Sequence, residues 1–226
     1  LTAEQMEEID LTKLLSLMDW YNGQTQPLDE TPDTSGTCGT GVNWTYSNGT
    51  LTISGAGSMD NYKGQVPWQA FKSSLTKVVI ENGVTNIGEC AFYQCKKLKS
   101  VEIPDSVTGL GDYAFYGCTK LKQVSIGKGV TKIASRAFRN CSALEELEIG
   151  GATEIESRAF YGCSSLKNLI LPDSLISIGD YAFYGCSGLE TIVFGSSLKR
   201  IGSHAFYLCE SLVRAELPES VSFIDS

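Results

Sequence analysis

Histidine is nearly absent: the 226 residues contain one, His204. Hydrolysis of the Ser/His or Cys/His type needs an imidazole base within hydrogen-bond reach of its nucleophile, so such chemistry has a single place to be. Positive charge is scarce too. Lys and Arg number 18 against 26 Asp and Glu, a net charge of −8 spread along the chain without a basic patch. Nucleic acid and anionic membrane surfaces are therefore poor partners. No apolar run is long enough to cross a bilayer, so no membrane insertion is expected. Leu1 is not followed by the charged and apolar regions of a secretory signal, and the chain reads as a soluble piece, mature or cut from something longer. Apolar material is not lacking. With 42% hydrophobic and 19% charged residues, the chain can build a packed core.

Eight cysteines could suggest a disulfide-stapled protein, but six of them, Cys95, Cys118, Cys141, Cys163, Cys186 and Cys209, recur every 22 or 23 residues. That is a repeat period rather than a disulfide framework. An Ala-Phe pair keeps the same period, from Ala91-Phe92 through Ala114-Phe115, Ala137-Phe138, Ala159-Phe160 and Ala182-Phe183 to Ala205-Phe206, with a degenerate copy at Ala70-Phe71. Aligned on Phe, further columns appear. One holds Leu98, Leu121, Leu144, Leu166, Leu189 and Leu212; two more place Val101 and Ile103, or their equivalents, either side of one variable residue. Such alternation predicts a strand with one buried face. Pro104, Gly127, Gly150, Pro172, Gly195 and Pro218 mark the turn after it, and a second strand-like piece ends at Leu110, Ile133, Ile155, Ile178, Ile201 or Ile224. Two strands and an Ala-Phe turn complete one coil of a solenoid.

The run from Ala91 to Pro104, with Phe92, Cys95, Leu98, Val101 and Ile103 at fixed spacing, resembles the BspA-like leucine-rich repeats of bacterial surface proteins, and the likeness covers residues 70–226. It implies a repeat solenoid, a β-rich leucine-rich-repeat superhelix with parallel strands on the concave face and short turns or helical segments on the convex face. About seven coils of 21–23 residues are expected over 70–226. The copy at Phe138 is one residue short at Gly150-Gly151-Ala152, which predicts a shortened outer loop. Residues 37–69 are expected to cap the first coil with a β-hairpin: Val42–Tyr46 and Thr50–Ser54 alternate around Asn48-Gly49, a strong turn signal. Trp44, Leu51 and Ile53 would be buried there. The stretch from Cys38-Gly39 to Gly57-Ser58-Met59, then Pro67-Trp68, is similar to the N-terminal module found ahead of such repeats in surface proteins of Gram-positive bacteria. Residues 1–36 read as a helix opened by Thr2 and Gln5 and running to about Trp20, then a polar linker from Gly23 to Gly36.

Candidates for chemistry are few. The column cysteines read as buried free thiols, because parallel copies one coil apart do not converge as a disulfide requires, and a straight column of single thiols cannot surround a metal. No metal and no cofactor are expected. Cys90 falls in a variable column with Tyr113, Arg136, Arg158, Tyr181 and His204 and is expected to face solvent. His204 lies five coils from it, about 24 Å on strand spacing, so the two cannot form a nucleophile and base. Glu145, Glu146 and Glu148 leave paired-carboxylate chemistry formally open, although on a polar strand face they read as solvated charges. No catalytic residue is assigned, and no enzyme is expected.

Two binding faces remain. On the concave strands Ile170 and Val193 occupy outward positions of adjacent coils, rimmed by Asn168, Thr191 and Glu148, and two aliphatics with a polar rim resemble the centre of a small interface. They could equally be ordinary β-formers on a β surface. The alternative is the convex column Tyr93, Tyr116, Tyr161, Tyr184 and Tyr207, interrupted by Arg139, which could stack on sugars or a partner's side chains, or simply cover the next coil. The resemblance implies recognition at a bacterial cell surface: a non-catalytic, extracellular adhesion module, expected to be monomeric, binding a protein or glycan. A spacer or accessory domain of a larger surface enzyme is the other reading.

Overall fold

The computed structural model describes residues 32–225; the expected N-terminal helix and most of the linker after it fall outside them. Strand β1 (Ser35–Ser47) and strand β2 (Thr50–Met59) form an antiparallel hairpin that pairs Trp44 with Ile53 and Tyr46 with Leu51. At its tip Asn48 and Gly49 take φ of 48° and 80°, the paired positive values that let a two-residue turn match the twist of the strands. Trp44, Leu51 and Ile53 are buried as expected.

Seven coils follow. They contribute β3 (Lys77–Ile80) and β4 (Val84–Ile87), β5 (Ser100–Ile103) and β6 (Gly109–Leu110), β7 (Gln123–Ile126) and β8 (Lys132–Ile133), β9 (Glu146–Ile149) and β10 (Glu154–Ile155), β11 (Asn168–Ile170) and β12 (Ser177–Ile178), β13 (Thr191–Val193) and β14 (Arg200–Ile201), and finally β15 (Arg214–Glu216) and β16 (Phe223–Ile224). Because the strands recur in the same phase, each pairs in parallel with its copy one coil away, Val101 with Val124 and Ile103 with Ile126. β2 behaves as an additional turn. Its first half pairs in parallel with β3, Leu51 opposite Val78 and Ile53 opposite Ile80, and its second half meets β4 at Gly57 and Val84. The hairpin thus closes the first coil with a strand of the solenoid's own register, giving a parallel-strand β-solenoid of about eight turns with a single short 3-10 helix, Gln69–Ser74, among the described residues.

The Ala-Phe turn forms a third hydrogen-bonded side. Phe92 N–H donates to the Ala114 carbonyl at 2.8 Å, and Phe115, Phe138, Phe160 and Phe183 repeat the bond one coil further along at the same distance. Two left-handed residues per coil aim these amides. One column, Cys90, Tyr113, Arg136, Arg158, Tyr181 and His204, has φ of 54–60°, and the other, Gln94, Gly117, Asn140, Gly162, Gly185 and Leu208, has φ of 55–74°.

Inside, the phenylalanines form one ladder. Phe92, Phe115, Phe138, Phe160, Phe183 and Phe206 stack with ring centroids 5.0–5.3 Å apart. The copy expected at Ala70-Phe71 departs from this pattern. Trp68, fully buried, is the first rung, 5.7 Å from Phe92, while Phe71 lies outside the ladder, stacked on Tyr46 at 4.0 Å, and Ala70 is exposed. The neighbour on that side is the hairpin rather than another coil. The larger indole spans the gap to Trp44, 6.1 Å away.

The short coil also has a consequence. A Cβ on Gly151 would sit 2.2 Å from the Lys128 carbonyl oxygen, so the shortened turn is pressed against the preceding coil and admits no side chain. On the next coil the long-strand ladder is interrupted: β2, β3, β5, β7 and β9 are continuous, and β11, β13 and β15 form a separate sheet. The second side breaks elsewhere, between β6 and β8.

Candidate recognition surfaces

Period-2 alternation places Val101 and Ile103 inside and Glu102 outside, and the same holds in every coil up to β9. Over β3, β5, β7 and β9 the outward residues floor a hollow of about 710 Å3 whose walls include Lys77, Glu81, Ser100, Glu102, Gln123 and Glu146. Some of the polar groups on this face bond each other across coils. Gln123 donates to Glu146 at 2.6 Å, Ser125 to Glu148 at 3.2 Å and Lys122 to Glu145 at 3.0 Å. The carboxylates on β9 therefore face the neighbouring coil's donors, which is how a ladder of solvated charges is arranged.

Past the interruption the face changes character. Ile170 and Val193 are paired in register on β11 and β13 and are 68% and 57% exposed. Asn168 and Thr191 flank them, the Thr191 hydroxyl donating to the Asn168 side-chain oxygen at 2.7 Å. Glu148 sits one coil earlier, on the far side of the interruption, where it accepts from Ser125. Four of the five proposed residues therefore share one sheet and Glu148 belongs to the other. Val213, 88% exposed, is a further aliphatic one coil beyond Glu190, while the residue paired with Val193 in that coil is Glu216. Its place in a column otherwise occupied by Lys99, Lys122, Glu145, Lys167 and Glu190 was the available signal.

On the third side the tyrosines stack on each other. Tyr93 and Tyr116 lie 5.0 Å apart, Tyr161 and Tyr184 4.7 Å, and Tyr184 and Tyr207 5.5 Å. Within the column Tyr184 has a neighbouring ring on each side, while Tyr116 and Tyr161 have a ring on one side only. Arg139 replaces a ring in the same column, its guanidinium 4.5 Å from the centre of Tyr161 and 5.8 Å from that of Tyr116.

The column cysteines are free, and Cys95 through Cys186 are buried. Each thiol from Cys118 onward donates to the carbonyl of the Phe one coil back, Cys118 to Phe92 at 3.3 Å and Cys141 to Phe115 at 3.2 Å, continuing to Cys209 and Phe183 at 3.4 Å. A small side chain with a weak donor fits a site beside a backbone oxygen in an apolar interior. Burial pushes the Cys163 thiol up from 9.0 to about 12. Such thiols stay protonated and unreactive at neutral pH. Cys90, expected to face solvent, is half-buried against the edge of the core, because the chain folds back at that left-handed residue. Burial raises its thiol pKa, Glu89 adds to the rise and Lys72 opposes it. In the cap, Cys38 is buried and its thiol is raised to about 12, by burial first and Asp60 second. Tyr62 donates to the Cys38 carbonyl at 2.9 Å, so Cys38 has a packing role.

His204 lies in the sixth copy of the column that Cys90 opens, its ring stacked on Tyr181 at 5.2 Å. Among the described residues no three His, Cys, Asp or Glu side chains converge as metal ligands would.

Coils of this length, stacked in parallel around a Leu, Ile, Val and Phe interior, define a leucine-rich-repeat solenoid. Residues 65–153 and 153–226 match the BspA-type leucine-rich repeat region in six copies, and the chain belongs to that family. It is similar to a leucine-rich cell surface protein of Faecalibacterium prausnitzii, with 29% identity over 87% of this chain and a TM-score of 0.59. It spans about half of that protein, 52% of its length. A leucine-rich repeat protein of T. pallidum is 28% identical over 81% of this chain and 83% of its own, with a TM-score of 0.65. A third, from Bacteroides ovatus, shares the fold at 24% identity over 87% of this chain and 55% of its own, TM-score 0.54. No curated protein matches the chain at a significant level.

Proposed function

We propose that the chain is a non-catalytic recognition module of an extracellular, surface-attached bacterial protein, engaging a protein partner through the long-strand face at Ile170 and Val193. One observation carries this reading. Two register-paired aliphatic side chains stand out from a face whose strands β5, β7 and β9 carry polar residues outward, and Val193 stands on β13, which is hydrogen-bonded to a strand on each side. A small apolar centre inside a polar rim, presented on a rigid support, loses little entropy on binding. The cell-surface setting is supported by the name of the Faecalibacterium relative.

The test is a binding panel of host extracellular-matrix proteins, read by surface plasmon resonance with the intact chain. At least one saturable interaction is expected, and the double change Ile170→Glu with Val193→Glu should remove it while altering stability by less than about 1 kcal/mol, since neither side chain is buried. Saturable binding that survives the double change would move the site elsewhere. No saturable binding to any member would favour a spacer or accessory role beside a larger enzyme.

A further inference from the structure

The third side of the coils carries three arginines on two adjacent copies. Arg136 stands over Tyr113 at 5.3 Å, Arg158 over Tyr181 at 4.6 Å, and Arg139 lies between Tyr116 and Tyr161. In a chain with 26 acidic and 18 basic residues, ion pairs would be expected to consume them. Among the described residues none of the three forms one. Arg136 and Arg158 each spend one N–H on the preceding serine hydroxyl, at 3.1 and 3.2 Å, and the Arg139 Nε is buried and makes no hydrogen bond. The carboxylates beside this edge do not pair with them. Glu156 accepts the Ser135 amide at 2.8 Å and pairs with Lys132, and Asp112, its carboxyl raised by burial and by Glu156 and Glu89, feels Arg136 only as an opposing charge without an ion pair.

A guanidinium stacked on a ring keeps its in-plane N–H donors pointing past the ring edge, where they suit a planar or tetrahedral oxyanion. Tyrosine rings flank Arg139 along the same edge, Tyr93 and Tyr116 5.0 Å apart on one side and Tyr161, Tyr184 and Tyr207 at spacings of 4.7 and 5.5 Å on the other, and the Asn140 side-chain amide reaches the Tyr116 hydroxyl at 3.4 Å. We propose that this edge, centred on Arg139 with Arg136, Arg158, Tyr116 and Tyr161, binds an acidic polysaccharide. A carboxylate or sulfate is held by the arginine forks, and adjoining sugar hydroxyls are bonded by the tyrosine hydroxyls. A polysaccharide is favoured over an acidic peptide because the edge offers hydroxyls and amides in series, and because the ring faces that would receive a peptide's apolar side chains are already stacked.

The site is independent of the strand face, and so is its test. Binding of dextran sulfate, polygalacturonate, neutral dextran and poly-glutamate to the intact chain is measured by calorimetry at low and physiological salt. The sulfated or the carboxylated polymer binds and weakens with salt, and which of the two binds distinguishes the anion; neutral dextran does not bind. Arg139→Gln with Arg158→Gln lowers the affinity about ten-fold or more, and Ile170→Glu with Val193→Glu leaves it unchanged. Tyr161→Phe, which removes only a hydroxyl, gives a separate readout if the double arginine change fails to fold, with an expected loss of about three-fold. The proposal is overturned if neither acidic polymer binds at low salt, if binding survives these changes, or if poly-glutamate binds as tightly as the polysaccharides.

Discussion

Replacing Phe138 by Ala removes the middle of the aromatic ladder. The ring is fully buried and lies between Phe115 at 5.2 Å and Phe160 at 5.3 Å, within 2° of parallel to both. A buried Phe→Ala change costs about 3–5 kcal/mol through lost transfer energy and the cavity left behind. Two ring contacts worth about 0.5–1.5 kcal/mol each in favourable cases place this site toward the upper end. The backbone is pinned by the Phe138 amide bond to Ala159, so neighbouring coils cannot collapse into the space without breaking the third-side ladder. Phe206, the last rung, supplies the comparison: it is only partly buried and stacks on one ladder neighbour, Phe183. Its replacement by Ala should cost about half as much, roughly 1.5–2.5 kcal/mol. Equilibrium urea denaturation of both variants measures the difference, with the slope monitored because stacked coils can unfold in parts. Equal costs at the two positions, or a loss below about 1 kcal/mol at Phe138, would refute a ladder built from mutually supporting rings.

The left-handed columns give a change of opposite sign. Gln94, exposed at φ 55°, occupies the column of Gly117, Gly162 and Gly185, and Gln94→Gly should raise stability by about 0.5–1 kcal/mol as backbone strain is relieved, net of the entropy of the freer unfolded chain; a loss larger than that in urea denaturation would contradict the assignment. The buried thiols predict alkaline instability. With Cys163 at about 12 in the fold against an ordinary 9.0, the unfolded thiol ionises first, so its contribution is complete below pH 9 and is lost at about 1.4 kcal/mol per pH unit as pH climbs from 9 toward 12. Comparing the pH 8 and pH 10.5 stabilities of wild type and Cys163→Ala should show the shallower decline in the variant; identical slopes would mean that this thiol ionises freely in the fold.

The coil was legible in the sequence because every coil repeats it: a column of six cysteines or six phenylalanines reports one environment sampled six times. Where the neighbour is not a copy, that logic fails. Trp68 could not be distinguished from Phe71 as the first rung, because the partner there is a hairpin whose indole at Trp44 sets the spacing. The left-handed column of Cys90, Tyr113, Arg136, Arg158, Tyr181 and His204 carries no glycine to announce it; only Gly117, Gly162 and Gly185 in its companion column hinted at the turn. Glu148 shares a column position with Ile170, yet the two stand in different sheets, the break falling at the coil that is one residue short near Gly151. Arg136 and Arg158 share one repeat position 22 residues apart and Arg139 stands three residues after Arg136, so they show no charge run, and only the stacking of adjacent coils brings them to one edge.

Thiol labelling of the native protein, followed cysteine by cysteine by mass spectrometry, tests the central claim most directly, because one thiol per coil reports on the interior from end to end. Cys90, half-buried, should react first and Cys209, partly exposed on the last coil, next. Cys118, Cys141, Cys163 and Cys186, each bonded to the carbonyl of the preceding coil, should react only at the rate of global unfolding. Reaction of any of these four as fast as Cys90 under native conditions would contradict a solenoid packed around these columns and, with it, the assignment of the faces that lie outside them.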